Sequence, residues 1–342
     1  MNQEVDLIKK HIKEAKNIYL TTHINPDDDA IGSLLGMYGH IINNYTNKEV
    51  VMLITGSPQK KWDFLINADK IEWVEDIANN VDDADLIVVL DCSDTYRATK
   101  KPELLKDKTT VAIDHHQPEE NSFTVMEQRQ SASSTAQIIA DSFLSEDDFM
   151  KIEITKPLFM GLYQDSGGFM YITKDQLGTF ATAQKLMEKN QFDIQTLLQK
   201  IKMITPETYE VWQNLMKDSV MVKHPIKPYI YSYATKEDTE KYGKAAVSKA
   251  KRSFLDGCAK KVEGFGWGFV TYPAKGNWEI SFRSTPGNPN VQQICKKYFN
   301  GNGHTLAAGG QMPFEKYQTA KDFALDTTML LENEKLDLTE ES

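Results

Sequence analysis

The chain has 342 residues, of which 40% are hydrophobic and 26% are charged. This composition is that of an ordinary soluble globular protein, and the length predicts two domains. The formal net charge of −10 argues against a broad basic groove for long DNA or RNA. It leaves room for a small phosphorylated substrate that a few placed cations could hold.

The cysteines and the N-terminus indicate the compartment. Cys92, Cys258 and Cys295 are odd in number and far apart, which suits a reducing environment and argues against a disulfide framework or a thiolate zinc site. Residues 1–16 are predicted to form a charged amphipathic helix rather than a signal peptide. Because no apolar run approaches the roughly 20 residues of a membrane span, we expect a cytoplasmic protein with no membrane partner.

The first strand candidate leads into an acidic turn. Residues 18–20 are a short apolar run, and helical spacing begins about a dozen residues later. The turn between them carries His23, Asp27, Asp28 and Asp29, where a parallel sheet holds its ligands. Three neighbouring carboxylates resist burial unless a cation neutralises them. The alternative is an acidic helix N-terminus capped by Asp27, but that alternative does not explain the histidine.

Further strand candidates follow at residues 49–54, 85–91 and 109–113. The second of these has an apolar, β-branched core and ends in Asp91, which is followed by Cys92, interpreted as core filler rather than a nucleophile. The third is followed by Asp114, His115 and His116. Adjacent residues at a strand end point in different directions. One imidazole could therefore bind a metal while the other faces a substrate, and Asp114 could fix a ring tautomer.

Two helices complete the first half of the chain. One opens at Ser133 with a hydroxyl cap, and the other starts near Ile154 and runs into Asp165 and a glycine-rich turn. Strands and helices alternate, and acids recur at the same sheet edge. This pattern predicts a doubly wound, mainly parallel α/β domain over residues 1–190.

The second half of the chain begins with a helical connector, predicted over residues 191–222. A smaller α/β domain is predicted over residues 223–332. Its expected elements are a strand at 229–233, a basic helix at 243–254, a β-hairpin formed by 266–272 and 278–284, and a helix at 290–299. A glycine-rich stretch follows at 300–310, and residues 333–342 are predicted to be an acidic, frayed tail.

The candidate metal ligands are oxygen and nitrogen donors without a thiolate: His23, Asp27, Asp29, Asp91, His115 and Asp165. This donor set suits Mn²⁺ or Mg²⁺, with Zn²⁺, Co²⁺ or Fe²⁺ also possible. Six ligands exceed the needs of one ion with an open position, but they fit two ions that share a bridging carboxylate. Such a pair, about 4 Å apart, supplies an activated water and holds the attacking and leaving oxygens of a phosphoryl transfer.

Together these segments resemble the four motifs of the DHH phosphoesterase family. The motifs are the His23-to-Ser33 turn, the strand ending in Asp91, the Asp114-to-His116 triplet and the Asp165-to-Phe169 turn. The glycine-rich stretch before His304 resembles the signature of the family's associated second domain. The resemblance spans nearly the whole chain and is greatest to the branch of NrnA-type nano-RNases, which also cleave 3′-phosphoadenosine 5′-phosphate (pAp).

The resemblance implies two metal sites that share Asp91 as a bridge. The first would use His23, Asp27 and Asp91, and the second would use Asp29, Asp91, His115 and Asp165. His116 would contact the scissile phosphate, and Asp114 would support the histidines. Asp28 holds the variable middle position and is expected to face solvent or to interact with the helix dipole.

In the second domain, the resemblance implies that the substrate phosphate is bound by Arg283, Ser284, Gly301, Gly303 and His304. Arg283 offers a planar fork for phosphate oxygens, and glycines let backbone N–H groups approach an anion. Asn302 replaces a glycine that relatives usually have, which Asn would tolerate if the position needs positive φ. Tyr96, Phe169, Tyr171, Trp267 and Phe282 are candidate base-stacking rings, but packing in the core or at its rim is the preferred interpretation of each.

The leading hypothesis is a dimetal phosphodiesterase and phosphatase that hydrolyses short oligoribonucleotides and pAp, with Mn²⁺ as the first choice of ion. A soluble cyclic-di-AMP or linear pNpN phosphodiesterase is the alternative within this class. A RecJ-like exonuclease is disfavoured by the acidic charge balance, and a pyrophosphatase by the glycine-rich stretch before His304. A non-catalytic nucleotide-binding module would be expected to have lost metal ligands. Long duplex nucleic acid is not an expected partner, and a homodimer is expected by resemblance alone.

Overall fold

The computed structural model describes residues 2–117, 122–190, 192–225, 227–274, 276–332 and 334–340. The chain divides into two compact units, Met1–Lys202 and Met203–Ser342. The division falls within the segment 191–222 that the sequence predicted as a connector. Among the described residues, no helix has the length and apolar character needed to cross a membrane.

The first unit is built on six strands: β1 (Asn17–Thr22), β2 (Glu49–Thr55), β3 (Ile71–Val74), β4 (Leu86–Leu90), β5 (Thr110–Asp114) and β6 (Val125–Gln128). Their order in the sheet is β3-β2-β1-β4-β5-β6, and each neighbouring pair is parallel. The chain order reverses between β1 and β4. This is the topological switch point of a doubly wound sheet, where ligands bind outside the carboxyl ends of the strands.

The α-helices that the structure describes in this unit are α1 (Gln3–Glu14), α2 (Asp28–Asn44), α3 (Thr95–Ala98), α4 (Thr135–Ser142), α5 (Ile152–Asp165), α6 (Gly178–Glu188) and α7 (Ile194–Lys202). The sheet is covered on both faces, since alternate side chains of β4 belong to two different hydrophobic clusters. Val88 and Leu90 join one hydrophobic cluster, and Ile87 and Val89 join another. Burial on both faces explains why β4 reads as a continuous apolar run.

Close packing between α2 and α5 brings the acidic turn near Asp165. A Cβ on Gly32 would lie 2.4 Å from the carbonyl oxygen of Pro157, and one on Gly161 would lie 2.7 Å from Oδ1 of Asp29. Only glycine therefore permits this approach of the two helices. The contact places Asp29, in the first turn of α2, against the last turn of α5.

The second unit is built on a mixed sheet of six strands: β7 (Val220–Val222), β8 (Tyr229–Tyr233), β9 (Trp267–Ala274), β10 (Asn277–Ser284), β11 (Asn302–His304) and β12 (Ala307–Pro313). The order is β11-β12-β10-β9-β8-β7, with β8 and β9 parallel and the other pairs antiparallel. Its helices are α8 (Pro206–Lys217), α9 (Lys236–Tyr242), α10 (Lys244–Phe254), α11 (Val291–Tyr298) and α12 (Ala320–Glu332).

Most predicted elements are confirmed, including the parallel sheet, the mixed second domain and the hairpin β9–β10. The sequence did not predict β3, β6, β7 or the pair β11–β12. These strands are three to seven residues long, and all but β12 lie at a sheet edge. Strands of three or four residues are too short to show a periodic pattern or a long apolar run, and β12 contains two glycines and a proline.

Candidate metal centre

The predicted ligands of the first unit meet at the carboxyl edge of its sheet. His23 follows β1, Asp91 follows β4, and His115 follows β5. Since β1 and β4 are paired neighbours and β5 pairs with β4, three separate stretches of sequence end at one place. Asp27 and Asp29 come from the start of α2, and Asp165 comes from the end of α5.

The first group of potential ligands is His23, Asp27 and Asp91, whose ligand atoms lie within 4.8 Å of one another. Asp27 also caps α2, because its Oδ1 accepts hydrogen bonds from the backbone N–H of Asp29 at 3.0 Å and of Ala30 at 3.1 Å. Nδ1 of His23 lies 3.0 Å from the carbonyl oxygen of Ile24. Donation to that carbonyl leaves Nε2 with its lone pair, and Nε2 lies 3.7 Å from Oδ2 of Asp91.

The second group is Asp29, His115 and Asp165, again with ligand atoms within 4.8 Å of one another. Asp29 is held by the N-terminus of α4, where the backbone N–H groups of Thr135 and Ala136 donate to it at 2.7 and 3.0 Å. Nε2 of His115 lies 3.1 Å from Oδ2 of Asp165. That nitrogen is buried and makes no hydrogen bond, as expected of an atom oriented for a metal.

Asp91 lies between the two groups. Its Oδ2 faces His23, while its Oδ1 lies 3.7 Å from Nε2 of His115 and 3.6 Å from Nδ1 of His116. Its backbone has φ of 56°, a left-handed conformation that Asp tolerates better than most residues. The hydroxyl of Thr135 donates to Oδ1 at 3.0 Å. A strained, buried and oriented carboxylate is typical of a functional position.

The electrostatics of these acids call for a cation. Burial, together with the neighbouring acid Asp91, raises the pKa of Asp29. Burial and the charge of Asp27 likewise raise the pKa of Asp91, and they raise the pKa of Asp165 to about 7. Burial and the neighbouring His116 lower the pKa of His115 to about 4, which favours the neutral imidazole that binds metals. The donor set, the burial and the unpaired Nε2 therefore fit divalent metal ions.

Unlike His115, His116 is not a predicted metal ligand, and Asp114 forms a hydrogen bond with its ring. Oδ1 of Asp114 accepts hydrogen bonds from Nδ1 of His116 at 2.8 Å and from its backbone N–H at 3.0 Å. Burial lowers the pKa of His116, but the bond to Asp114 and the charge of Asp91 outweigh it and raise the pKa to about 9. His116 is thus a cation at neutral pH when no metal is bound, and its Nε2 remains available to a phosphate oxygen.

Of the two alternatives for Asp28, the position in the first turn of α2 fits an interaction with the helix dipole, but a solvent-facing side chain needs correction. Its side chain does not project freely into solvent but is about four-fifths buried. It accepts hydrogen bonds from Nε1 of Trp62 at 2.7 Å and from Nε2 of Gln164 at 2.8 Å, and it lies 3.4 Å from Nζ of Lys61. No sequence pattern indicated this contact with Trp62.

Two of the predicted phosphate-binding residues of the second unit, Arg283 and His304, share one face of its sheet. Ala307 of β12 pairs with His304 on one side and with Arg283 on the other, so all three side chains project from the same face. Ser284 is the next residue along β10 and is buried on the opposite face, and its backbone N–H donates to the carbonyl oxygen of Leu306 at 2.8 Å. The predicted phosphate contact of Ser284 is therefore not supported by this geometry.

Gly301 and Gly303 lie at positions that a residue with a side chain would not readily occupy. A Cβ on Gly301 would lie 2.1 Å from the carbonyl oxygen of Gly309, and Gly303 has φ of 146°. Asn302 lies within β11, paired with Gly309, and is not a positive-φ position. Its replacement of a glycine therefore needs no special backbone tolerance.

Sequence reasoning missed Lys251 in the second unit. Its Nζ donates to the hydroxyl of Tyr272 at 2.7 Å and to Ser281 at 3.1 Å. Burial and the charge of Arg283 lower its pKa to about 8. A signal was present, because Lys251 follows the buried Val247 by four residues and precedes the buried Phe254 by three, which places it beside the apolar stripe of α10.

The candidate stacking rings differ in accessibility. Trp267 and Phe282 are fully buried in the core of the second unit, so neither offers a free face. Tyr96 and Tyr171 are about half exposed, and Phe169 packs partly against the first core.

The fold and the metal centre define a metal-dependent phosphoesterase. Residues 17–163 match the family model described as DHH family, N-terminal domain. These residues therefore form a domain of the DHH family. Among curated proteins it is similar to the probable bifunctional oligoribonuclease and PAP phosphatase NrnA of Streptococcus mutans, with 23% identity over 87% of this chain and 90% of that protein.

Two further relatives agree with this assignment. The bifunctional oligoribonuclease and PAP phosphatase NrnA of Bacillus subtilis is 24% identical over 86% of this chain and 89% of that protein. Among solved structures, an exopolyphosphatase-related protein from Bacteroides fragilis superposes with a TM-score of 0.80 and 20% identity over 97% of this chain and 98% of the other. The structural likeness supports the fold of the whole chain.

Proposed function

We propose that the chain hydrolyses short oligoribonucleotides and, as a second substrate, pAp. The observation that carries this proposal is the convergence of the predicted acids and histidines from four stretches of sequence on one edge of the first sheet. The names of the two curated relatives, which match nearly the full length of this chain, support the choice of substrates. The acidic net charge is consistent with a short substrate rather than long nucleic acid.

Two Mn²⁺ ions are proposed as the cofactor, one held by His23, Asp27 and Asp91 and the other by Asp29, Asp91, His115 and Asp165. When bound, the ions supply an activated water and neutralise charge on the scissile phosphate. The remaining work belongs to the chain. Thr135 fixes the orientation of Asp91, and Asp114 holds the ring of His116 so that its charged edge can stabilise a phosphate oxygen.

The second unit is proposed to bind the terminal phosphate of the substrate through Arg283 and His304. The guanidinium of Arg283 can form two parallel hydrogen bonds to phosphate oxygens. The small residues Ala307 and Gly309 leave room on the same sheet face. A catalytic domain, a connector and a substrate-binding domain with the boundaries given above remain the proposed functional division, in a cytoplasmic enzyme that forms a homodimer.

The deciding experiment is a substrate panel with Mn²⁺ present. Di- to pentanucleotides, pAp, cyclic di-AMP and linear pNpN are incubated with the protein, and the products are separated by chromatography. Mononucleotide release from short RNA and AMP from pAp are expected. Turnover confined to cyclic di-AMP would favour the alternative phosphodiesterase, and no turnover of any compound would favour a binding module.

A further inference from the structure

A cavity lies at the carboxyl edge of the first sheet, beside the segment that contains the candidate ligands His23, Asp27 and Asp29. Its volume is about 380 Å³, which is within the usual range for small-molecule sites. Its walls come from the loop after β1, the loop after β2, and β3, with Ile24, Asn25, Gln59 and Trp73 among the lining residues. None of these residues belongs to the predicted metal or phosphate sites.

One wall of the cavity is part of the metal motif itself. Ile24 and Asn25 lie between the predicted ligands His23 and Asp27 in the chain. Asn25 has φ of 59°, and the backbone N–H of Ile24 donates to the carbonyl oxygen of Arg97 at 2.7 Å. The loop that presents the ligands therefore has a defined conformation, and its outer side forms the cavity.

The opposite wall is an aromatic ring that is tied to the same motif. The indole of Trp73 stacks on that of Trp62, with ring centroids 6.5 Å apart and an interplanar angle of 10°. Trp62 is buried and donates to Asp28, which lies between the ligands Asp27 and Asp29. Asp28 thus holds Trp62, and Trp62 supports Trp73, so the ring has a fixed position relative to the metal ligands.

The polar lining suits a planar ligand with a hydrogen-bonding edge. The described residues provide no hydrogen-bond partner for the side-chain amides of Asn25 and Gln59, and both residues are exposed. Amide side chains pair with base edges because each offers a donor and an acceptor side by side. Aromatic rings stack on any nucleobase through its π-face.

We propose that this cavity is the subsite for one nucleobase of the substrate, with the base stacked on Trp73 and its edge contacted by Asn25 and Gln59. This inference rests on the proposed function for the identity of the substrate. It assigns Asp28 and Trp62 as positioning residues, since they act through Trp73 rather than by touching the nucleotide.

The test compares the dinucleotide pApA with a matched dinucleotide in which a tetrahydrofuran replaces the base, placed at either position in turn. Trp73→Ala is expected to raise KM for pApA roughly 5- to 150-fold, the range for loss of one base–aromatic stack. kcat should stay within about twofold, because the metal ligands are untouched. One of the two abasic compounds should show no difference between wild type and variant, and Trp73→Phe should restore most of the affinity.

Two controls separate stacking from folding. Gln59→Ala alters an exposed loop residue and should raise KM for pApA by a smaller factor without changing thermal stability. Tyr209→Ala removes a partly exposed ring of α8 that does not line the cavity, and it should leave KM unchanged. An equal effect of Trp73→Ala on pApA and on both abasic compounds would overturn the proposal.

A binding measurement distinguishes failure of this subsite from failure of the proposed function. AMP should quench tryptophan fluorescence of the wild-type protein and should do so much less in Trp73→Phe. If the wild type hydrolyses pApA but AMP quenches both proteins equally, the subsite is wrong and the function stands. If the wild type hydrolyses no nucleotide, the function is wrong, and AMP quenching alone decides whether the cavity binds a base.

Discussion

The two sheets of this molecule place their polar side chains in opposite ways. The parallel sheet of the first unit gathers acids at one edge, and Asp29, Asp91 and Asp114 are almost completely buried there. The mixed sheet of the second unit instead carries two predicted phosphate-binding side chains on one face, where Arg283 is half-buried and His304 is exposed. The first arrangement concentrates acids away from water, and the second leaves its side chains partly accessible to water.

The difference follows from topology and solvation. Parallel strands that are covered on both faces have only their ends available for polar groups, so those groups are crowded and desolvated. Such acids are stable as anions only when cations join them. An antiparallel face can keep its cations partly hydrated and far enough apart to receive an anion from solution. The comparison therefore predicts that metal ions stabilise the first unit and that a phosphate binds to the second.

The strongest test of this comparison is Asp91→Asn. Asn preserves the shape of the side chain and tolerates the left-handed backbone, but it cannot bridge two ions as a carboxylate does. We expect Mn²⁺-dependent turnover to fall more than about 100-fold, beyond the loss typical of residues that only support ligands. In the absence of metal, the melting temperature should rise or stay constant, because a buried charge has been removed.

Asp148→Asn is the matched control. Asp148 is also fully buried in the first unit, but it accepts hydrogen bonds from His40 at 2.8 Å, from Asn44 at 2.7 Å and from the backbone N–H of Ser145 at 2.8 Å. Burial raises its pKa, yet these partners outweigh burial and lower the pKa to about 2. Asp148→Asn should therefore lower stability and leave kcat intact. Near-wild-type turnover of Asp91→Asn would refute the metal assignment.

Arg283→Ala tests the proposed phosphate site of the second unit. Loss of a charged hydrogen-bond donor to phosphate should raise KM by roughly 10- to 100-fold for a substrate with a terminal phosphate, since such bonds contribute about 1.5–3 kcal/mol. Mn²⁺ affinity, measured by calorimetry, should not change. Arg283→Lys should recover only part of the loss, because lysine lacks the planar fork. If Arg283→Ala also lowered the affinity for Mn²⁺, the proposed phosphate site of the second unit would not be independent of the candidate metal centre of the first.

How much of this could be predicted from sequence differs between the same two regions. The six candidate metal ligands could be proposed from the sequence because each directly follows a strand or flanks a helix end, and parallel topology brings such positions together. Lys251 could not be identified from the same kind of reasoning. It reaches its site from the middle of α10, and only the tertiary packing shows that its ammonium meets Tyr272 and Ser281.

The hydrogen bonds that hold the candidate metal ligands and their neighbours in place could not be predicted from the sequence either. Thr135 looked like one hydroxyl of a helix cap, yet it orients Asp91, which lies 44 residues earlier in the chain. Asp28 looked exposed because its neighbours are polar, and its partner Trp62 lies 34 residues away in a segment without regular spacing. Long-range side-chain contacts leave no periodic signal, so helix and strand patterns could not reveal them.

The stability of the metal-free protein should depend on pH because its buried acids are crowded together. In the metal-free protein Asp165 has a pKa raised to about 7, chiefly by burial. Its protonated form stabilises the fold at low pH, and this stabilisation is lost as the pH rises through about 7. Metal-free protein should therefore melt at a lower temperature at pH 8 than at pH 6.

Mn²⁺ binding should show the opposite trend. Because binding requires the carboxylate, the apparent affinity should weaken up to about tenfold per unit as the pH falls below 7 and should level off above it. Calorimetry in two buffers with different ionisation enthalpies would detect the released proton. An affinity that does not vary between pH 6 and 8 would contradict the raised pKa of Asp165.

The smallest expected effect concerns Lys251, and it tests whether a second cation besides Arg283 acts on this face of the second sheet. Its ammonium contacts two hydroxyl groups, and among the described residues no carboxylate lies within salt-bridge distance of it. The charge of Glu279 raises the pKa of Lys251 but does not outweigh burial, so a substrate phosphate on this face would bring a second anion to the ammonium. Lys251→Met should raise KM for a terminally phosphorylated substrate by about three- to tenfold, as expected for a partly screened charge.

The pH profile distinguishes this role from a packing defect. Burial and Arg283 lower the pKa of Lys251 to about 8, so the wild-type KM should rise as the pH passes above 8 and the ammonium loses its proton. The KM of Lys251→Met should lack that rise. Lys236→Met is the control, because Nζ of Lys236 lies over the rings of Trp278 and Phe314 on the other face of the sheet. Equal KM changes in both variants would mean that a general loss of positive charge, and not the position of Lys251, accounts for the effect.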